Sequence, residues 1–236
     1  MARNLTEQLV YDLGLAIIRG DYSANNSLPS EADICEQFSV SRSATREAVK
    51  MLASKGLLSS RPRQGIRVLP ESRWNLFDPE VLDWLLKSRP TRELLFEFSQ
   101  MRAGIEPEAA AIAAEFATPE ALANIEAAWQ RMVDAESGLD DGLDADISFH
   151  IALLNASGNR FFAQMSSFVE TALRISIRFT NAVKGVPGAD VAAHGAVLKA
   201  IQKKNPKQAR QKILALLDES KELIQSDPVN IRKRSM

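Results

Sequence analysis

Apolar residues recur at helical spacing through most of the chain, and polar breaks set the ends of each run. Leu9, Val10, Leu13, Ala16 and Ile17 predict a first helix, with Thr6 as its N-cap and an end near Gly20. After a polar loop, Pro29 and Ser30 open a short second helix, because serine caps well and Glu31 puts a carboxylate in the positive first turn. Ile34 and Phe38 share one face of it, and Ser39 breaks the pattern. A third helix begins behind Ser41, buries Val49, Leu52 and Ala53, and stops at Gly56. Leu57 and Leu58 then lead into the polar run Ser59 to Arg63, a Gln64-Gly65 turn and Ile66 to Val68, the pattern of a small hairpin. Two short helices joined by a tight turn and followed by a hairpin predict a winged helix-turn-helix over residues 1–70.

Strand-like alternation is absent beyond that hairpin. Residues 71–77 read as a linker, and Asp78-Pro79 caps the next helix with proline at its first position. Val81, Leu82, Trp84, Leu85 and Leu86 are too apolar for an exposed helix, so this segment is expected to pack where the two parts of the chain meet. A long helix follows from Thr91 to Phe116, burying Leu94, Leu95, Phe98, Met101, Ile105, Ala109, Ile112 and Ala113, with Pro107 inside it favouring a kink. Further helices are expected from Thr118 to about Ala135, Asp140 to Asn155, Asn159 to about Asn181, Ala189 to Lys203 and Pro206 to Gln225. The fold class is therefore mainly α: a winged helix-turn-helix, then an all-helical antiparallel bundle over residues 78–226, with a loose tail at 227–236.

Charge separates the two parts. The chain has 236 residues, 45% of them hydrophobic and 25% charged, enough to bury a globular core. Its net charge of −1 excludes a general polyanion binder. Yet from Arg42 to Arg67 seven basic residues (Arg42, Arg46, Lys50, Lys55, Arg61, Arg63, Arg67) stand against Glu47 alone, so 7 − 1 = +6. Duplex DNA is the partner this implies. The first residues of the second motif helix reach base edges, which assigns Ser41, Arg42, Ser43 and Arg46 to recognition, while Arg61, Arg63, Gln64 and Gly65 of the hairpin meet the backbone. Cys35 is the only cysteine, so neither an intrachain disulfide nor a thiolate metal cluster is available. With no apolar run near the ~20 residues of a membrane span and no signal-peptide pattern, a cytoplasmic location and no membrane partner are expected.

In the second part, polar groups fall on apolar faces. Asp146 and His150 lie at i, i+4 among Ile147, Phe149, Ile151 and Leu153, and Arg102 and Glu106 repeat the spacing between Met101 and Ile105. His194, the other of the two histidines, sits among alanines. Buried pairs serving stability alone would leave so many desolvated charges on three helices without a use. Arg174 and Arg178 form one more i, i+4 pair, suited to gripping a carboxylate. Together these seven residues are the candidate ligand-binding groups of the second part.

The sequence also carries a resemblance. L-P-S-E from Leu28, F-S-V-S-R from Phe38, R-E-A-V from Arg46, G-L-L from Gly56 and R-Q-G from Arg63 resemble the winged helix-turn-helix of GntR-type transcription regulators. Ala32 departs from the pattern, since many relatives carry a basic residue there, and that contact is expected to be missing. R-A-G-I-E-P from Arg102, D-I-S-F-H from Asp146 and H-G-A-V-L-K-A-I from His194 resemble the all-helical FCD ligand domain of the FadR-like subgroup. The segment from Trp74 to Leu86 is similar to the linker of regulators of sugar-acid catabolism, galactonate-responsive repressors among them.

The resembled domain holds a metal with one Asp and three His. Asp146, His150 and His194 match three of these positions, but the fourth is Leu216, so the implied cofactor is a divalent ion such as zinc in an open three-ligand site, or none. The expectation is a dimeric, ligand-responsive repressor that binds double-stranded operator DNA and leaves it on binding a small anionic metabolite such as an aldonic acid. The alternatives are a metal-sensing regulator of the same fold and a metal-dependent hydrolase; an enzyme would leave the basic reading head unexplained.

Overall fold

The computed structural model describes residues 4–23, 26, 28–61, 65–185 and 188–226, which form two compact units, Met1–Pro90 and Thr91–Met236. The expected tail at 227–236 lies outside the described residues.

The first unit begins with α1 (Leu5–Arg19). Asn4, not Thr6, is its N-cap: the Asn4 side chain accepts from the Glu7 N–H while the Glu7 carboxylate accepts from Asn4 N–H, a reciprocal pair that Thr6 has no partner to make. α2 (Glu31–Gln37) is capped by Ser30, and α3 (Arg42–Ser54) by Ser41. Ser39 takes the turn between them with φ 53. Strands β1 (Leu58–Arg61) and β2 (Gly65–Val68) pair antiparallel, from Leu58 opposite Val68 to Arg61 opposite Gly65.

α4 (Pro79–Ser88) belongs to this unit, so the compact division falls one helix later than the expected linker at 71–77. Trp84 explains why. Its ring is 1% exposed and packs edge-on to Tyr11 at 6.1 Å, and it lies so close over Gly14 that a Cβ there would sit 2.3 Å from the indole. The apolar stripe Val81, Leu82, Trp84, Leu85, Leu86 is thus spent on α1, and all five are buried. At the other end, Gly56 has φ +76 and a Cβ would meet the Arg73 carbonyl at 2.2 Å; only glycine lets the chain return so closely to the end of α3.

The second unit is a helical bundle: α5 (Arg92–Phe116), α6 (Pro119–Glu136), α7 (Gly142–Ala156), α8 (Arg160–Gln164), α9 (Ser166–Lys184), α10 (Val191–Gln202) and α11 (Pro206–Ser226). Thr118 caps α6, and Thr91, expected as the first residue of the long helix, stands just ahead of α5 as its N-cap. One helix expected from Asn159 to Asn181 is instead two, meeting at Met165, where no side chain caps the start of α9 and so no residue type marks the break. α11 lies along α5 and α6 along α7. Their core runs through Ile125, Met132, Phe149, Leu153, Val197, Leu198, Ile201, Ile213 and Leu217, with Ala109, Ala110, Ala113 and Ala114 keeping the buried face of α5 narrow. Gly195 is held under Trp129, whose Nε1 donates to the Val191 carbonyl at 3.0 Å, and this contact sets the rotation of α10 that turns His194 inward.

Candidate functional site

The N-terminal turn of α3 is exposed. Ser41 accepts from the Ala44 N–H at 3.2 Å and meets the Ser43 hydroxyl at 2.9 Å, so both hydroxyls are fixed at the helix start beside an exposed Arg42. Arg46, one turn on, is exposed and touches Glu31 at 3.3 Å. Arg61 and Arg67 stand exposed on the hairpin, and Gly65 has φ +70, the turn conformation expected of it. Arg63 and Gln64 lie outside the described residues. Lys55 does not belong to this surface. Its side chain is only 11% exposed, and its ammonium is held by Asp78 at 2.7 Å and Glu80 at 2.8 Å. Burial alone would lower its pKa, but the two carboxylates outweigh that and raise it. The basic face is therefore one cation poorer than a count along the chain suggests.

In the helical unit, α5, α7 and α10 bring Arg102, Glu106, Asp146, His150 and His194 together, all at most 5% exposed. Arg102 donates Nε to Glu106 Oε1 at 2.5 Å and Nη2 to Oε2 at 3.2 Å. His150 Nδ1 lies 2.8 Å from Glu106 Oε2, and His194 Nδ1 lies 2.7 Å from the Asp190 carbonyl. Each imidazole thus donates through Nδ1 and turns Nε2 towards Asp146 Oδ1, 3.3 Å from either ring, and His150 Nε2 also accepts from Arg102 Nη2 at 3.2 Å. Three lone-pair atoms from Asp146, His150 and His194 converge, all within 4.8 Å of one another. Neither Asp146 Oδ1 nor His194 Nε2 has a hydrogen-bond partner.

Converging acceptors repel unless a cation lies among them. Burial would raise the Asp146 pKa, but the two imidazoles, once a proton sits on Nε2, hold it far below the usual carboxylate range. Glu106, against the same burial, is pulled down to about 2, by Arg102 first and His150 after it. Burial would lower the His150 pKa, and the Glu106 charge prevails to raise it. Arg102 meets His150 Nε2; for the two atoms left without a partner, a proton on an imidazole is one way to supply a cation and a divalent ion is another. The donor set fits such an ion: one carboxylate oxygen and two imidazole nitrogens converge, with Glu106 and the Asp190 carbonyl orienting the rings from behind.

Leu216 does line the cavity, with Ile177, Thr180, Asn181, Lys184, Asp190, Glu219 and Ser220. Its hydrocarbon leaves that side of the cluster without a ligand. Arg174 and Arg178 are not part of it. Arg174 is drawn to Asp144 at 2.7 Å and Glu170 at 3.6 Å, in a groove on the other face of α7, and Arg178 is exposed. Sequence reading missed Lys184 and Glu219, which pair at 2.6 Å across 35 residues (219 − 184) with no local spacing to announce them.

Residues 5–68 match the model for bacterial regulatory proteins of the gntR family, and residues 97–219 match the FCD domain model. This chain belongs to the gntR family. It is 34% identical over 174 residues to the galactonate operon transcriptional repressor of Escherichia coli K12, spanning 74% of this chain and 76% of that protein. It is also 34% identical over 167 residues to the HTH-type transcriptional regulator YieP of the same strain, covering 70% of this chain and 73% of that one. A solved structure of Lar from Listeria monocytogenes shares the fold at a TM-score of 0.62 and 18% identity, covering 95% of this chain and 98% of that one. The gntR-family chain is a ligand-responsive DNA-binding transcription regulator, not an enzyme. No helix among the described residues is long and apolar enough to cross a membrane.

Proposed function

We propose that this regulator is a cytoplasmic, dimeric repressor of sugar-acid catabolism that leaves its operator when a small hydroxy-carboxylate and a divalent ion occupy the helical unit. The observation that carries the reading is the buried convergence of Asp146 Oδ1 with His150 Nε2 and His194 Nε2, two of these three atoms lacking any partner. Purely structural pairs do not leave buried acceptors facing each other. Asp146, His150 and His194 would hold the ion, and its charge would offset an acidic cluster that otherwise repels an anion. The likeness to a galactonate operon repressor favours an aldonic acid as the ligand class.

Operator contact falls to Ser41, Arg42, Ser43 and Arg46 at the start of α3, with Arg61 and the hairpin on phosphate. Two copies would place two such helices in successive major grooves of a near-palindromic site. Effector coupling of this kind is typically ~1 to 3 kcal/mol, one to two decades in operator affinity.

A second reading has its own support. The cavity enclosed by the cluster is only about 30 Å³, room for an ion but not for a six-carbon acid. In that reading the metal alone is the effector. Titrating the protein with zinc, with galactonate and with both, while following operator binding by anisotropy, separates the two. Release that needs the acid supports the first; release by zinc alone supports the second. His150→Ala should keep operator binding and abolish the response, and global unfolding of that variant would mean that the cluster serves stability only.

A further inference from the structure

The charges around the cavity pose a problem for any anionic ligand. Leaving the two imidazoles aside, Arg102 and Lys184 stand against Glu106, Asp146, Asp190 and Glu219, so 2 − 4 = −2. Even a divalent ion only brings that sum to zero. The ligand's carboxylate therefore needs a cation that can change partners, and the two arginines expected to supply one lie elsewhere.

Burial decides between the remaining two. Arg102 is 4% exposed and bonded through two nitrogens to Glu106, itself 1% exposed; withdrawing it would strand a carboxylate in the interior. Lys184 is at the rim. Its ammonium pairs with Glu219 at 2.6 Å, with side chains 28% and 49% exposed, so Glu219 loses little by turning to water. Lys184 also lines both spaces: the ion-sized cavity of about 30 Å³ and an adjoining groove of about 610 Å³, where it is the one cation beside the acids Glu136 and Asp190 among the described residues. The groove is within the roughly 300 to 1,000 Å³ of small-molecule sites, and the cavity is far below it.

Resting on the effector reading above, we propose that Lys184 is the residue that takes the effector's carboxylate, and that Glu219 occupies it until the ligand arrives. The acid lies in the outer groove with its charged end at Lys184 and its neighbouring hydroxyl facing the cluster. Because Lys184 is on α9 and Glu219 on α11, capture also unties these two helices. The pair thus sets specificity and begins the response.

Calorimetry on the zinc-supplemented full chain, with galactonate as the probe, tests this. Lys184→Met should bind galactonate about tenfold or more weakly, the worth of a charge-assisted bond. Glu219→Gln should bind it at least as tightly as the wild type, since the competitor is gone. Zinc affinity measured without galactonate should be the same in all three proteins, because Asp146, His150 and His194 are untouched. Unchanged galactonate affinity in Lys184→Met overturns the proposal, and so does equal weakening in both variants, which would make the pair a mere tie between helices. If the wild type binds neither galactonate nor other aldonates, the effector reading itself fails and this proposal falls with it.

Discussion

The reading head and the helical unit both carry clustered charge, but under opposite conditions. Arg42, Arg46, Arg61 and Arg67 are solvated, and holding them there costs almost nothing. Arg102, Glu106, Asp146 and His150 are out of water, so each must be matched within the protein or by what the protein binds. Exposed charge serves as an address for a large polyanion. Buried charge leaves a cluster whose balance depends on a single proton or ion. Lys55 shows how little sequence distance separates the two conditions: it lies between Lys50 and Arg61, yet it ties the end of α3 to α4.

Substitutions on each side should sharpen the contrast. The largest effect belongs to Glu106→Ala, which strands Arg102 and should cost about 3 to 5 kcal/mol of stability, read by chemical denaturation. The same carboxylate fixes an acid limit. Its pKa falls from 4.5 unfolded to about 2 folded, so its contribution is complete above about pH 4.5 and disappears as the pH drops through about 2. Asp146 acts in the same direction. His150 is opposite in sign: its pKa is raised, so its contribution is full below 6.5 and is lost as the pH rises through the folded value. Metal-free protein should accordingly be most stable between these limits, and glutamine at 106 should flatten the acid side of a melting-temperature profile.

Lys55→Met comes next. It removes two ion pairs and should cost ~1.5 to 3 kcal/mol of stability while leaving the salt dependence of operator binding unchanged; a shallower slope would return Lys55 to the DNA face. Arg42→Ala should cost ~1 to 3 kcal/mol in specific binding and relax base preference. If preference holds, α3 does not present Arg42 to a base edge. Smallest is Arg61→Ala, which should weaken all sequences alike and reduce the salt slope by about one.

Local signals carried much of this architecture. Ser30, Ser41, Asp78 and Thr118 each cap the helix that their residue type announces, since an N-cap is satisfied within three residues of chain. Met165, lacking a capping side chain, left the break between α8 and α9 unannounced. The i, i+4 pairs Arg102/Glu106 and Asp146/His150 were legible for the same reason, one helical turn being a local distance. Arg174 obeyed that spacing towards Arg178 and still went elsewhere, because Asp144, 30 residues away, offered a carboxylate at 2.7 Å.

The order of amino acids by itself determined a basic winged head, a helical remainder and two polar turns set into apolar faces. Only the tertiary structure decided that α4 rests on α1, that Lys55 is withdrawn from the basic face, and that His194 meets Asp146 and His150 while Lys184 meets Glu219. Periodicity and capping act over a few residues, whereas burial and long-range partners are settled by which faces of the helices pack together.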